Sequence, residues 1–212
     1  MPDTAKIKRA LADLDEDSAL RLARESLDAG VPALDILKAC QEAMLEVGSR
    51  FEAHEYFVSD LMMSGEIFKQ VSSLLEPGLK AGAPHCSGKV VFGTVKGDIH
   101  DIGKDIVVNM LKSANLEVID LGVDVPPQRF VEALQQSGAT ILGMSGLLTL
   151  AFDSMKATIA ALSAAGMRDD IRVMIGGGPV NASVCKFVGA DDWGADAQKA
   201  VRLANNWLGV HA

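Results

Sequence analysis

The chain has few cysteines, little positive charge and no long apolar run. Its three cysteines, Cys40, Cys86 and Cys185, are far apart and show no Cys-x-x-Cys spacing, so neither a zinc site nor a redox pair is indicated and a reducing compartment is expected. Every apolar run falls short of the roughly 20 residues that span a bilayer, which favours a cytoplasmic protein that does not enter a membrane. The formal net charge of −8 disfavours binding to nucleic acid, because an acidic surface repels phosphates.

The first 79 residues have the apolar spacing of helices. Apolar side chains recur at intervals of three and four, as at Leu22, Ala23 and Leu27. Gly30 is placed to end one helix, and Pro32 stands where the first turn of the next helix tolerates proline. Short connections between the helices favour an antiparallel bundle. The four predicted helices cover residues 4–13, 16–29, 32–51 and 56–76.

Glycine and proline then interrupt the helical pattern, and residues 77–88 are predicted to be a linker. The linker separates a helical domain of residues 1–86 from a second domain of residues 89–212. In the second domain, short β-rich runs alternate with amphipathic helices, which predicts a doubly wound parallel sheet. The predicted strands cover residues 89–95, 117–121, 140–145, 172–175 and 191–193, and the predicted helices cover residues 103–114, 127–137, 152–165, 180–188 and 196–208. The predicted fold class is α/β: an N-terminal four-helix bundle followed by a flavodoxin-like or Rossmann-like five-stranded sheet.

Three loops that follow predicted strands are unusual in composition and lie where a ligand would bind. In an open parallel sheet, ligands bind beyond the carboxyl ends of the strands. If the strand order is 2-1-3-4-5, these loops line one edge. A neutral imidazole is a good ligand for a transition metal, and its other ring nitrogen needs an acceptor, which Asp98 is placed to supply to His100. The loops contain Asp98, His100 and Gly103 after the first strand, residues 145–149 after the third and residues 176–178 after the fourth.

The pattern Asp98-x-His100-x-x-Gly103, followed by Ser145-x-Leu147 and then by glycines 176–178, resembles the signature of a known cofactor-binding domain. That domain is the cobalamin-binding domain of methionine synthase, of corrinoid methyl carriers and of some mutases. The segment 47–61 also resembles the helical domain that precedes the cobalamin domain in these carriers. The resemblance covers most of the chain and implies a bound cobalamin, as methylcobalamin or a related corrinoid.

The resemblance also implies roles for individual residues. His100 would coordinate the cobalt from below, Asp98 would fix the histidine tautomer, and Ser145 would hydrogen-bond to the carboxylate, so that these three carry the chemistry and couple loss of the methyl group to proton uptake. Glycines 103 and 176–178 would leave room for the nucleotide tail of the cofactor, Leu147 and Thr149 would lie against the tail, and Trp193 and Gly194 would border its base. Phe57 and Leu61 would shield the reactive upper face. The expected cofactor-binding residues are Gly97, Asp98, Ile99, His100, Asp101, Ile102, Gly103, Ser145, Leu147, Thr149, Gly176, Gly177, Gly178, Trp193 and Gly194.

The function implied by the resemblance is that of a corrinoid protein. It would carry a methyl group on cobalt between a substrate-specific methyltransferase and an acceptor methyltransferase that uses tetrahydrofolate or a thiol, and a reductive activator would be a third partner. Such a subunit is not catalytic alone, and the sequence does not disclose whether methanol, a methylamine, a betaine or an aryl methyl ether is the donor.

Two alternatives stay open. One is a cobalamin-dependent sensor or regulator, although such proteins need a DNA-binding module and no basic recognition helix is visible in the sequence. The other is the small subunit of a mutase, although mutase cobalamin domains usually lack this type of bundle.

Overall fold

The first compact part of the protein is helical. The computed structural model describes residues 4–79 and 86–209, and the chain divides into two units, residues 1–85 and 86–212. The apolar faces of the helices of the first unit meet in one core, as the helical spacing predicts. The helices are α1 (Thr4–Ala12), α2 (Glu16–Asp28), α3 (Ala33–Glu52) and α4 (Val58–Leu79). The fully buried core side chains include Ile7, Leu11, Ile36, Ile67 and Leu75.

The predicted linker begins too early. Helix α4 continues through Pro77 to Leu79, and the first strand begins at Gly88, while residues 80–85 lie outside the described residues. Pro77 lies in the last turn, where it removes only one backbone donor from a helix whose earlier turns are packed in the core. Gly78 permits a close approach, because a Cβ atom there would lie 2.9 Å from the Cβ atom of Ala33. Tertiary packing thus overrides the local breaking signal.

The second unit contains a five-stranded parallel sheet in the order β2-β1-β3-β4-β5. This confirms the α/β prediction and the predicted strand order. The strands are β1 (Gly88–Thr94), β2 (Leu116–Asp120), β3 (Ile141–Ser145), β4 (Arg172–Gly176) and β5 (Asp192–Gly194). The helices between and after them are α5 (Ile102–Ser113), α6 (Pro127–Ser137), α7 (Ala151–Ala164), α8 (Ala182–Val188) and α9 (Ala197–Leu208).

The register of the sheet brings the ends of four strands into one row. Thr94 of β1 pairs with Ser145 of β3, Ser145 pairs with Gly176 of β4, and Gly176 pairs with Gly194 of β5. The loops after these strands therefore begin at the same level along one edge, which is where parallel sheets bind ligands. Within the described residues, no helix is long and apolar enough to cross a bilayer.

Candidate functional site

Asp98 and His100 lie together in the loop between β1 and α5, residues 95–101, which we call the histidine loop. Asp98 is almost fully buried (1% exposed), whereas the His100 side chain is half exposed. Nδ1 of His100 lies 2.7 Å from Oδ1 of Asp98, and the backbone N–H of His100 donates to the same oxygen at 3.0 Å. A carboxylate partner for Nδ1 favours the tautomer in which Nε2 carries no proton. Nε2 is therefore the ring nitrogen left to bind a metal.

Backbone amides hold the second oxygen of the Asp98 carboxylate. The N–H groups of Leu147 and Leu148 donate to Oδ2 at 2.6 Å and 3.0 Å. Burial raises the pKa of Asp98, but hydrogen bonds from the Leu148 amide, from His100 and from the Leu147 amide outweigh burial and lower the pKa to about 2. Asp98 is therefore a carboxylate at neutral pH.

Ser145 lies at the end of β3, but its hydroxyl group does not bond to Asp98. Across residues 4–79 and 86–209, the partners of the Asp98 carboxylate are the N–H and Nδ1 of His100 and the amides of Leu147 and Leu148. Each carboxylate oxygen thus already accepts two hydrogen bonds, which is its ordinary capacity. The bond that the family resemblance implies is absent for this reason, and a role for the Ser145 side chain stays a prediction.

Two hydroxyl groups that sequence reasoning missed fix the backbone of the histidine loop. Thr94 Oγ1 donates to the carbonyl oxygen of His100 at 3.0 Å, and Ser154 Oγ donates to that of Lys96 at 2.8 Å. Thr94 is fully buried and directly follows the buried residues 90–93 of β1, where a hydroxyl needs a partner, so its sequence position carried a usable signal. Ser154 lies 58 residues from its partner, and no local pattern could have revealed the contact.

The four glycines expected to make room for a ligand tail have different environments. A Cβ atom at Gly177 would lie 2.0 Å from the carbonyl oxygen of Gly146, and Gly177 has a φ of +137°. This glycine is therefore required by contact between two loops of the protein itself. A Cβ atom at Gly178 would lie 3.2 Å from a side-chain carbon of Leu147. Gly103 borders open space, with no atom within 4 Å of an added Cβ, so a side chain there would meet a ligand before it met the protein.

Large exposed apolar side chains lie in the loops after β1 and β3 and at the adjoining helix starts, on the edge that carries the histidine. Exposed apolar clusters of this kind mark binding surfaces, because isolated soluble proteins rarely leave them in water. Together with one half-exposed imidazole, they suit a broad, partly apolar ligand that contains a metal. The cluster comprises Ile99, Ile102, Leu147, Leu148 and Leu150, whose exposed fractions run from 42% to 75%.

The other residues predicted for the site lie along the same edge. Gly97, Asp101 and Thr149 are exposed. Trp193 and Gly194 are in β5, which follows β3 and β4 in the sheet and is thus the farthest strand from β1 on that side. The Trp193 ring packs against the core and lies beneath Lys199, whose Nζ is 4.4 Å from the ring centroid. These positions are compatible with an extended ligand that crosses several strands.

Two residues of the helical unit were predicted to shield the ligand, and they differ in exposure. Phe57 is 69% exposed, whereas Leu61 is buried at 3%. Leu61 is thus not open to a ligand in this structure, and the other exposed large apolar residues at the start of α4 are Val58, Met62 and Met63. No group of three or more His, Cys, Asp or Glu side chains in residues 4–79 and 86–209 is arranged to hold a metal ion.

Comparison with known proteins covers both units. The B12 binding domain family matches residues 88–202, and a second family of the same description matches residues 4–76. A crystal structure of a cobalamin-binding protein from Desulfitobacterium hafniense DCB-2 is 40% identical, with a TM-score of 0.83 over 97% of this chain and 98% of that chain. Trimethylamine corrinoid protein 1 of Methanosarcina acetivorans is 36% identical over 93% of each chain. A chain of the methanol:cobalamin methyltransferase complex MtaBC from Methanosarcina barkeri is 26% identical, with a TM-score of 0.84 over 98% of this chain and 80% of that chain. The protein therefore belongs to the family of B12-binding corrinoid proteins.

Proposed function

We propose that this chain is the corrinoid subunit of a methyltransferase system and carries a methyl group on the cobalt of its bound cobalamin. The observation that supports the proposal most strongly is the Asp98–His100 pair, which leaves Nε2 available beside an exposed apolar surface. The corrin cobalt supplies a centre that can accept a methyl group from one substrate and yield it to another. Methylcobalamin is the loaded form that we propose.

In this proposal, the residues of the histidine loop would hold the cobalt. His100 would present Nε2, and Asp98, which lies 2.7 Å from Nδ1, would keep that opposite ring nitrogen protonated. The nearby carboxylate would also stabilise a proton on Nε2, so the pair would couple loss of the methyl group to proton uptake. The amides of Leu147 and Leu148 keep that carboxylate ionised. The proton would then be held within the protein by an ion pair.

The proposed partners follow from the relatives of the chain. We propose a substrate-specific methyltransferase as donor, an acceptor methyltransferase that uses tetrahydrofolate or a thiol, and a reductive activator. The relatives named for trimethylamine and for a methanol:cobalamin methyltransferase complex support the first of these partners. As the family resemblance implies, the helical unit would act as a cap, for which the exposed Phe57 is suited.

The proposal is tested by the corrinoid that the protein retains. Protein purified from cells supplied with cobalamin is expected to carry methylcobalamin or an unalkylated corrinoid, and to exchange methyl groups with a cognate donor methyltransferase. Retention of adenosylcobalamin instead would favour a sensor or a mutase subunit and would count against the methyl carrier. His54→Ala is the matched control for His100→Ala, because His54 lies in the helical unit and is exposed. Only the His100 variant is expected to lose methyl transfer.

The donor is identified by supplying the cobalamin-loaded protein with methyltransferases for methanol, methylamines, betaines and aryl methyl ethers in turn. One of these enzymes is expected to methylate the cobalt of the wild-type protein and of the His54→Ala variant at equal rates. Failure of every donor enzyme to methylate a protein that binds cobalamin would contradict the carrier function.

A further inference from the structure

The loop after β2, residues 121–125, lies beside the histidine loop. Backbone hydrogen bonds join it to Thr94, the last residue of β1 before the histidine loop: Thr94 N–H donates to the Gly122 carbonyl at 2.9 Å, and Val125 N–H donates to the Thr94 carbonyl at 3.0 Å. Side chains of β2 and its loop contact the chain on both sides of His100. We infer that Asp124 directly, and Asp120 through Lys104, are positioning residues that fix His100 against Asp98. This inference rests on the proposed function, in which His100 binds the metal. None of the positioning residues touches the imidazole itself.

Asp124 holds the first half of the histidine loop. Its Oδ1 accepts a hydrogen bond from the Gly97 N–H at 2.7 Å, and its own N–H donates to the carbonyl oxygen of Asp98 at 2.9 Å. Asp124 adopts a left-handed backbone with a φ of +54°, a conformation that Asp, Asn and Gly tolerate better than other residues do. Asp124 therefore forms hydrogen bonds with the backbone of both Gly97 and Asp98, the two residues before Ile99 and His100.

Asp120 and Lys104 hold the chain just beyond His100. The Lys104 side chain is 4% exposed, and its Nζ lies 2.5 Å from Oδ2 of Asp120 and 2.6 Å from Oδ1 of Asp105. The other oxygen of Asp120 accepts from the Gly122 N–H at 2.9 Å, so Asp120 ties the first turn of α5 to the β2 loop. Burial lowers the pKa of Lys104, but its two carboxylate partners outweigh burial and raise the pKa, so the lysine stays charged.

The consequence is that His100 lies between two points of the chain, one anchored to the loop after β2 and the other to the end of β2 itself. Gly97 is anchored three residues before the histidine, and Lys104 is anchored four residues after it. A ligand histidine must be held close to its productive geometry by the residues behind it, since small displacements weaken metal coordination. Loss of either anchor is expected to loosen the loop and the contacts between His100 and Asp98.

The test compares Asp124→Gly with Asp124→Asn by amide hydrogen exchange of the cobalamin-free, full-length protein. Glycine accepts the positive φ and removes the side-chain acceptor of the Gly97 N–H, whereas asparagine keeps both an acceptor oxygen and the tolerance for this backbone. In Asp124→Gly, the His100 amide, which donates to Asp98, is expected to exchange about tenfold faster, while Asp124→Asn stays within about threefold of wild type. Asp120→Asn, which keeps the acceptor for Gly122, is expected to accelerate the same amide by at least about threefold.

The result that would overturn the inference is an unchanged His100 amide in both Asp124→Gly and Asp120→Asn, including the case in which only the Gly97 amide exchanges faster. Such a result would mean that the anchors hold their own contacts and do not position the histidine. The loaded protein provides a second readout, since Asp124→Gly is expected to bind cobalamin with a smaller fraction of histidine-coordinated cobalt in its visible spectrum. Wild-type protein that binds no cobalamin would contradict the proposed function, whereas the exchange rates would still decide the positioning role.

Discussion

Replacing Asp98 by asparagine is expected to destabilise the second unit, although this substitution is nearly isosteric. The site requires four acceptor positions, because both oxygens of the carboxylate receive two N–H or ring nitrogen donors each. Asparagine offers one oxygen. If that oxygen accepts from His100, the amide NH₂ group faces the N–H groups of Leu147 and Leu148. Both hydrogen bonds from these two residues are then lost, because donors face donors.

The size of the effect follows from two arguments. Two hydrogen bonds to a charged group are worth about 1.5 kcal/mol or more each, which gives a loss of about 3 kcal/mol. The pKa of Asp98 falls from its ordinary 3.8 to about 2 in the folded protein, and at about 1.4 kcal/mol per pKa unit this corresponds to about 2 kcal/mol. Because the folded-state pKa is depressed, this stabilisation is present above pH 4 and is lost as the pH falls through about 2.

Urea unfolding followed by tryptophan fluorescence measures this loss in the unit concerned. Both tryptophans of the chain, Trp193 and Trp207, lie in the second unit, so the signal reports on that unit alone. Asp98→Asn is expected to lose about 2 to 3 kcal/mol at pH 7, and the difference from wild type should narrow below pH 4. Asp101→Asn is the matched control, since Asp101 is exposed in the same loop and makes no side-chain cap, and it should change stability by less than about 0.5 kcal/mol. An Asp98→Asn loss below about 1 kcal/mol, or one that does not depend on pH, would refute the reasoning.

Three further substitutions have expected outcomes. Gly177→Ala should cost about 3 kcal/mol or more in urea unfolding, because its Cβ would lie 2.0 Å from a backbone oxygen at a φ of +137°. Gly103→Ala should change the free energy of unfolding by less than about 0.5 kcal/mol, since the added Cβ meets no protein atom. The same methyl group should weaken cobalamin binding in a spectroscopic titration. An unchanged affinity would show that no ligand passes there. Tyr56→Phe should destabilise the helical unit by about 1 to 2 kcal/mol in thermal unfolding followed by circular dichroism, because the hydroxyl donates to the Ala12 carbonyl at 2.7 Å and accepts from Arg50. The control Arg21→Ala removes an exposed ion pair within one helix and should cost less than about 0.5 kcal/mol.

The elements of the fold were predictable because the local signals agree with one another. Apolar spacing changes from helical to strand-like near residue 89, and each strand of the sheet ends at a glycine or a small polar residue. The linker prediction failed at Pro77 and Gly78 because a helix packed in a core can continue where an isolated helix would end. The strand order was predictable only through the expected α/β topology, which few arrangements satisfy.

The candidate site was predictable where side chains carry the function and unpredictable where the backbone does. The Asp98–His100 contact follows from two residues that are close in sequence. Oδ2 of Asp98 accepts hydrogen bonds from two backbone amides, and the sequence does not predict them, because almost any residue at 147 and 148 supplies an N–H group. The hydrogen bond from Ser145, which the family resemblance implied, is not made because those amides and His100 already occupy the carboxylate. Asp124 escaped notice because its left-handed backbone and its contact with Gly97 arise only when two loops meet.

The most direct measurement is electron paramagnetic resonance of the protein loaded with cobalamin and reduced to the cobalt(II) state, with histidine labelled by ¹⁵N. If Nε2 of His100 is the axial ligand, each cobalt hyperfine line is split into a triplet by natural nitrogen and into a doublet after labelling, and His100→Ala abolishes the change. A triplet that persists in the labelled protein would show that the cofactor's own base, and not this imidazole, is bound to the cobalt.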